Sequence, residues 1–379
     1  MQIDNFQTFI KQAWQNQDYQ TMTPIQESVM PLLLADHHVI ASSPTGSGKT
    51  LAYLLPMLEK IDPEQKQMQV LILASSHELV MQIYHVVQTF TLDSRINTLA
   101  LIGGANIKRQ IEKLKKKPQL VVGTPGRILE LVQQKKLKMH QVKAIILDEA
   151  DQFMTAEHEN TIEMIIKSAP KSSQRAVFSA TISDVFIDRI SKYVDQPKIV
   201  HINREDAGTP KVTHQYLICE AREKVDILRK LIRNESIKPL VFFKDISALN
   251  VFSEKLTHHR LKVASLHGEV TKQLREKAIR VFNQGELDVL LATDVAARGL
   301  DIKHLHTVIQ LDVPREVDQY VHRAGRTGRL GSEGGEVLSI VTANELKQLK
   351  KLTNQLDLVL NRAQLIEGQR VMVDGMSDE

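Results

Sequence analysis

The stretch VIASSPTGSGKTLAYLLPMLEK, residues 39–60, carries the reading of the fold. An apolar run of strand character, VIAS, meets a turn rich in Gly and Ser, and the turn opens into a segment of helical length. Gly46 and Gly48 have no Cβ, so backbone N–H groups can close around phosphate oxygens. Ser47 completes that cradle, Lys49 would reach the β- and γ-phosphates, and the Thr50 hydroxyl would ligate Mg²⁺. The usual eight-residue pattern begins with Gly, and here Ser43 holds that place. The match therefore rests on GKT between strand and helix. A chance turn opening a helix is the competing reading, and the flanks count against it.

The same strand-to-helix alternation runs outward from this stretch. Short Val-, Ile- and Leu-rich runs predict strands at 38–41, 70–74, 98–102, 120–123, 144–147 and 176–179. Between them, apolar residues at three- and four-residue spacing predict helices at 78–90 and 127–134. The alternation restarts after about residue 210, with strands expected at 240–243, 263–266, 289–292, 307–311 and 337–341. Helices are expected there at 222–232, 248–256 and 273–282. Alternation of this kind predicts α/β units whose mostly parallel sheets are covered by helices on both faces. NREDAGTP, residues 203–210, has Gly and Pro and no periodicity, which makes it the expected linker. The expected organisation is a first domain at 1–204, a linker at 205–210, a second domain at 211–362 and a short tail at 363–379 that frays.

Composition narrows the class. The 379 residues suit two domains, and 42% apolar with 25% charged residues is the balance of a globular chain with sizeable cores. Lys and Arg total 49 against 45 Asp and Glu, a formal surplus of +4 that is too small for a polybasic arm. The single Cys219 excludes an internal disulfide framework and a multi-cysteine metal site. The opening MQIDNFQTFI lacks a secretory pattern and no apolar run is long enough to span a membrane, so a cytoplasmic protein is expected. With aromatics at 4%, a surface of stacking rings is not expected.

AIILDEAD, residues 144–151, is an apolar strand ending in adjacent carboxylates. Asp148 would hold Mg²⁺ and Glu149 would polarise the attacking water. Together with the phosphate loop it predicts a nucleoside triphosphate hydrolase site. YVHRAGRTGR, residues 320–329, sets Arg323, Arg326 and Arg329 three apart. In a helical turn that spacing points guanidinium groups to one side, where they would spread over a γ-phosphate held in a cleft between the two domains.

In family order, these pieces resemble a DEAD-box ATP-dependent RNA helicase over residues 18–329. TMTPIQ resembles the adenine-reading Q motif, with Gln26 on the adenine edge and Thr23 supporting it. SAT, Ser179 to Thr181, resembles the motif linking hydrolysis to strand separation, and ATDVAARGLD at 292–301 precedes the arginine stretch. The resemblance implies two tandem RecA-like domains, with ATP and Mg²⁺ as cofactors. It implies Arg326 and Arg329 as γ-phosphate fingers, Asp301 on the ribose, and Asp151, Ser179, Thr181 and His322 as coupling groups. For RNA it implies Gly103, Gly104, Thr124, Pro125, Gly126, Arg127, Gly268, Arg275 and Thr293, groups that suit backbone contacts without base reading. The lysine runs KLKKKP at 113–118 and KKLK at 135–138 either widen that footprint or are solvated helix ends.

Several positions depart from the family pattern. SSHELV, residues 75–80, stands where Pro-Thr-Arg-Glu-Leu-Ala is usual, so His77 replaces an RNA-contacting Arg. Asp18 and Met22 replace Gly and Pro in the Q motif, Phe6 lies closer to it than the family's upstream aromatic, and Lys272 replaces a Gln. None touches the hydrolytic groups. The expectation is an ATP-driven remodeller of RNA duplexes or RNA–protein complexes, with weaker RNA coupling and an ATP-gated RNA clamp as the rival. It is expected to be a monomer working on ribosome-assembly intermediates or beside RNA-processing factors.

Overall fold

In the computed structural model, residues 3–153, 158–182, 184–297, 302 and 305–373 are described. The chain divides into two compact units, Met1–Gly208 and Thr209–Glu379.

The first unit is built on seven parallel strands. They are β1 (Val39–Ser42), β2 (Val70–Ala74), β3 (Thr98–Leu101), β4 (Leu120–Gly123), β5 (Ala144–Asp148), β6 (Gln174–Ser179) and β7 (Lys198–His201). Their order across the sheet is β3-β4-β2-β5-β6-β1-β7. Both faces are buried, which is why the strands read as unbroken apolar runs and not as alternating ones. Successive side chains still part company: Val70, Ile72, Ala144 and Ile146 enter one core, while Leu71, Leu73, Ile145 and Leu147 enter the other.

The second unit repeats the plan with β8 (Val212–Ile218), β9 (Leu240–Phe243), β10 (Val263–Leu266), β11 (Val289–Thr293), β12 (Thr307–Gln310), β13 (Gly335–Val341), β14 (Leu360–Ile366) and β15 (Gln369–Met372). The order is β10-β11-β9-β12-β13-β8-β14-β15, parallel except for the β14–β15 hairpin.

That hairpin corrects the frayed tail expected from the sequence. β14 pairs in parallel with β8 from Leu360–His214 to Ala363–Leu217, and Ala363 is buried. Glu367 and Gly368 both take positive φ, 52° and 81°, and reverse the chain into β15. Arg370 then pairs with Glu235 and with Glu336, each at 2.9 Å. Backbone pairing and ion pairs hold this segment, and neither leaves an apolar signature. No helix among the described residues is long and apolar enough to cross a membrane.

Candidate active site and RNA-facing edge

The loops leaving the carboxyl ends of the first sheet carry the functional residues, and strand order sorts them into two halves. On the β5-β6-β1 side lie Asp148 to Asp151, Ser179 to Thr181 and the phosphate loop. On the β3-β4-β2 side lie Gly103 and Gly104, Thr124 to Arg127, and His77.

β1 and β5 flank β6, so their ends stand about 10 Å apart at the usual strand spacing. The helix Lys49–Lys60 spans that gap: the Tyr53 hydroxyl donates to Asp148 Oδ2 at 2.8 Å, and Thr50 also hydrogen-bonds the Tyr53 hydroxyl. β6 contributes Ser179, whose hydroxyl donates to Asp151 Oδ1 at 2.6 Å. Lys49, partly buried, turns its ammonium onto the carbonyl of Pro44 at 3.0 Å and that of Ser43. Burial lowers the Lys49 pKa, and Asp148, Glu149 and Asp151 oppose that shift.

Gly46 and Gly48 take φ of 81° and 96°, a region that costs any other residue strain. Space also requires Gly48, because a Cβ there would sit 2.6 Å from Gln26 Nε2. Gln26 is buried. Its amide oxygen accepts from Thr23 N at 3.0 Å, and its Nε2 donates to Gly48 O at 3.2 Å. The Q segment is therefore tied to the phosphate loop. Thr23 Oγ1 is buried beside the loop without a partner, a polar group that a bound nucleotide would satisfy. Phe6 is buried in the core and offers no ring to an adenine.

Asp148 is 4% exposed, and burial with the neighbouring Glu149 charge pushes its pKa up to about 6 despite the Tyr53 bond. A buried carboxylate held this way calls for a cation. Among the described residues no cluster of three His, Cys, Asp or Glu could hold a metal alone. One carboxylate and one hydroxyl suit Mg²⁺ that takes its remaining ligands from phosphates and water. Glu149 adopts φ 50°, and its amide donates to Asp148 Oδ1 at 3.0 Å.

Sequence reasoning missed one contact here. Ser75 Oγ donates to Glu149 Oε2 at 3.2 Å. Ser75 follows β2, the strand paired with β5 at Ala74–Asp148, so it sits where the two halves of the edge meet. A proline, the family's usual residue, has no hydroxyl to make this bond. Two residues on, the exposed His77 ring lies against the Gly103–Gly104 turn, 3.2 Å from where a Gly103 Cβ would stand.

On the β3-β4-β2 half, Gly103 N donates to Thr124 Oγ1 at 3.3 Å, and outside its own helix no described atom lies within 4 Å of a Gly126 Cβ position. Pro125 opens the helix Pro125–Gln133. Arg127, expected as a phosphate partner, is engaged here by the protein itself. Only 8% exposed, it donates twice to Ala105 O, at 3.1 and 3.2 Å, and to Glu130 at 2.9 Å. Its role in this structure is to brace the glycine turn.

In the second unit, the helix Val317–Ala324 stops at Gly325, before the second expected arginine. The one-sided helical display of three arginines is thereby corrected. Arg323, 2% exposed, grips both Asp294 oxygens at 2.5 and 2.6 Å and stacks over Phe242 at 5.1 Å. It is structural. Arg326 and Arg329 lie beyond the helix and donate back to the carbonyls of His322 and Gly325, at 3.2 and 3.4 Å. Thr293 is buried at the end of β11, Gly268 is exposed after β10, and Arg275 is half-buried on Lys272–Asn283. Asp301 lies outside the described residues.

Comparison with known proteins agrees with this arrangement. The DEAD/DEAH box helicase family model matches residues 23–190, and that for the helicase conserved C-terminal domain matches 223–331. The chain is 49% identical to the probable ATP-dependent RNA helicase YfmL of Bacillus subtilis, covering 95% of this chain and 96% of that one. It is 46% identical to the DEAD-box ATP-dependent RNA helicase CshC of Bacillus cereus, covering 97% and 94%. Among solved structures it is similar to S. cerevisiae Dbp5 bound to RNA and ADP BeF3, with a TM-score of 0.86 and 29% identity over 95% of this chain and 94% of that one. Each of the two sheets with its helices is a RecA-like unit. The chain belongs to the DEAD-box family of ATP-dependent RNA helicases.

Proposed function

We propose that this protein couples ATP binding and hydrolysis to local unwinding or remodelling of RNA duplexes or RNA–protein complexes. Support comes from one observation above the rest: Tyr53 and Ser75 hold Asp148 and Glu149 at the end of β5, with one strand, β6, between it and the strand leading into the phosphate loop. In this reading Gly46, Ser47, Gly48 and Lys49 hold the phosphates, while Thr23 and Gln26 receive the adenine and Asp301 the ribose. Thr50 and Asp148 would hold Mg²⁺, which when bound supplies neutralisation of phosphate charge. Glu149 accepts the proton of the attacking water, and Arg326 and Arg329 stabilise the transferring phosphoryl group. Asp151, Ser179, Thr181 and His322 relay the nucleotide state to RNA. Gly103, Gly104, Thr124 to Gly126, Gly268, Arg275 and Thr293 take its backbone. The setting we propose is a cytoplasmic monomer acting on ribosome-assembly or RNA-processing intermediates.

Glu149→Gln tests the assignment. The variant should retain ATP and RNA binding and lose turnover, read as phosphate release under RNA stimulation. Release at the wild-type rate would remove Glu149 from its role. The exposed His77 beside Gly103, in place of an arginine, favours a second reading as an ATP-gated clamp. RNA-stimulated hydrolysis without release of a short duplex would select the clamp.

A further inference from the structure

We propose that a lysine-lined cavity at the amino-terminal edge of the first sheet is a second RNA site, which grips the phosphate backbone of duplex or structured RNA lying beyond the strand engaged at the carboxyl edge. It rests on RNA being the substrate. Three loops build the cavity, those preceding the neighbouring strands β2, β4 and β5, and its volume is about 820 Å³. Strands of four to five residues separate it from the carboxyl edge by roughly 13–17 Å, so it is not part of the track described above.

Lys66, Lys115, Lys117, Lys136 and Lys138 line it, against the single carboxylate of Glu64. Five lysines against one carboxylate give this one place a net charge equal to the +4 surplus of the whole chain. Glu64 is turned to Arg95 at 3.3 Å, and Lys115 is paired with Glu112. Lys117, Lys136 and Lys138 are exposed and make no ion pair among the described residues. The two lysine runs follow the helices Ile107–Leu114 and Pro125–Gln133, and a cation or two at each end offsets the helix dipole. That role does not require two helix ends and the loop bearing Lys66 to converge on one cavity. Of the apolar lining residues Met68, Pro118 and Leu137 are buried and Leu114 is half-buried, so none is an exposed anchor of the kind protein partners use. Lysines without aromatic neighbours read phosphates as point charges and ignore bases.

The test combines Lys117→Gln, Lys136→Gln and Lys138→Gln, beside a charge-keeping set with arginine at the same three positions. Affinity is measured by anisotropy for a short single strand and for that strand extended by a duplex arm. The glutamine set should bind the extended RNA about tenfold more weakly, with a salt slope reduced by about 2 to 3. It should bind the short strand as wild type does, with unchanged ATPase stimulation by it. The arginine set should behave as wild type. Inorganic polyphosphate should erase the extended RNA's advantage in wild type and have no advantage to erase in the glutamine set. Equal affinity of wild type and the glutamine set for the extended RNA overturns the proposal. So does an equal loss on both RNAs, or a selective loss of binding to polyaspartate, which would assign the cavity to an acidic protein. Failure of short-strand stimulation in wild type itself would instead count against the RNA reading.

Discussion

Asp148 must be ionised to meet a cation, yet the fold prefers it neutral. Its pKa rises from the ordinary carboxylate value of 3.8 to about 6, so the free fold loses stability as pH climbs through that window. Asp148→Asn imitates the protonated form, and the Tyr53 hydroxyl can turn to accept from the new amide. In urea with chelator present, the variant should be more stable than wild type by about 1–3 kcal/mol at pH 8, with the gap closing toward pH 5. A gap that widens on acidification would refute the assignment. Ser75 poses a second question at this scale. Its bond to Glu149 holds one carboxylate oxygen and leaves the other for water. Ser75→Ala should lower kcat about fivefold with little change in KM for ATP, and Ser75→Thr should restore it, consistent with a hydrogen bond worth about 1 kcal/mol. Loss of KM and kcat together, unrescued by threonine, would mark a merely structural role. The phosphate loop and the carboxylate pair were legible because spacing alone defines them. The Ser75 contact was not, since it joins residues 74 apart through neighbouring strands.

At the scale of elements, legibility followed burial. Runs enclosed on both faces, Val70–Ala74, Leu120–Gly123 and Leu240–Phe243, have the bounds expected from sequence, as does the partly buried edge strand Val263–Leu266. The unforeseen strands are those with solvent on one side. β7 is KIVH and mostly exposed, β8 is VTHQYLI with the polar run Thr213 to Gln215 inside it, and β14 reads LNRAQLI. Their sheet positions come from backbone pairing, which side-chain hydropathy does not report. The arginine stretch failed for another reason: spacing of three presupposes a helix, and Gly325 ends the helix before Arg326. Arg323 and Arg127 share a lesson, since each arginine of a motif stretch holds its neighbours in place, one through Asp294 and the other through the Ala105 carbonyl.

At the scale of the molecule, a net charge of +4 said little, because loops far apart in sequence bring their lysines to one cavity. The sheet order has a different consequence, in time. Among the described residues β1, the strand that leads into the phosphate loop, pairs only with β6 and β7. On a growing chain, Val39–Ser42 is synthesised more than a hundred residues before Gln174–Ser179 and Lys198–His201. At about 5–20 residues per second it waits roughly 8–30 s for its second neighbour, with an apolar edge uncovered. Stalled nascent chains should therefore stay sensitive to protease around residues 39–50 until His201 has left the ribosome, and then become protected in one step. A helicase of this build is itself exposed to misassembly for most of the time its first unit is being made.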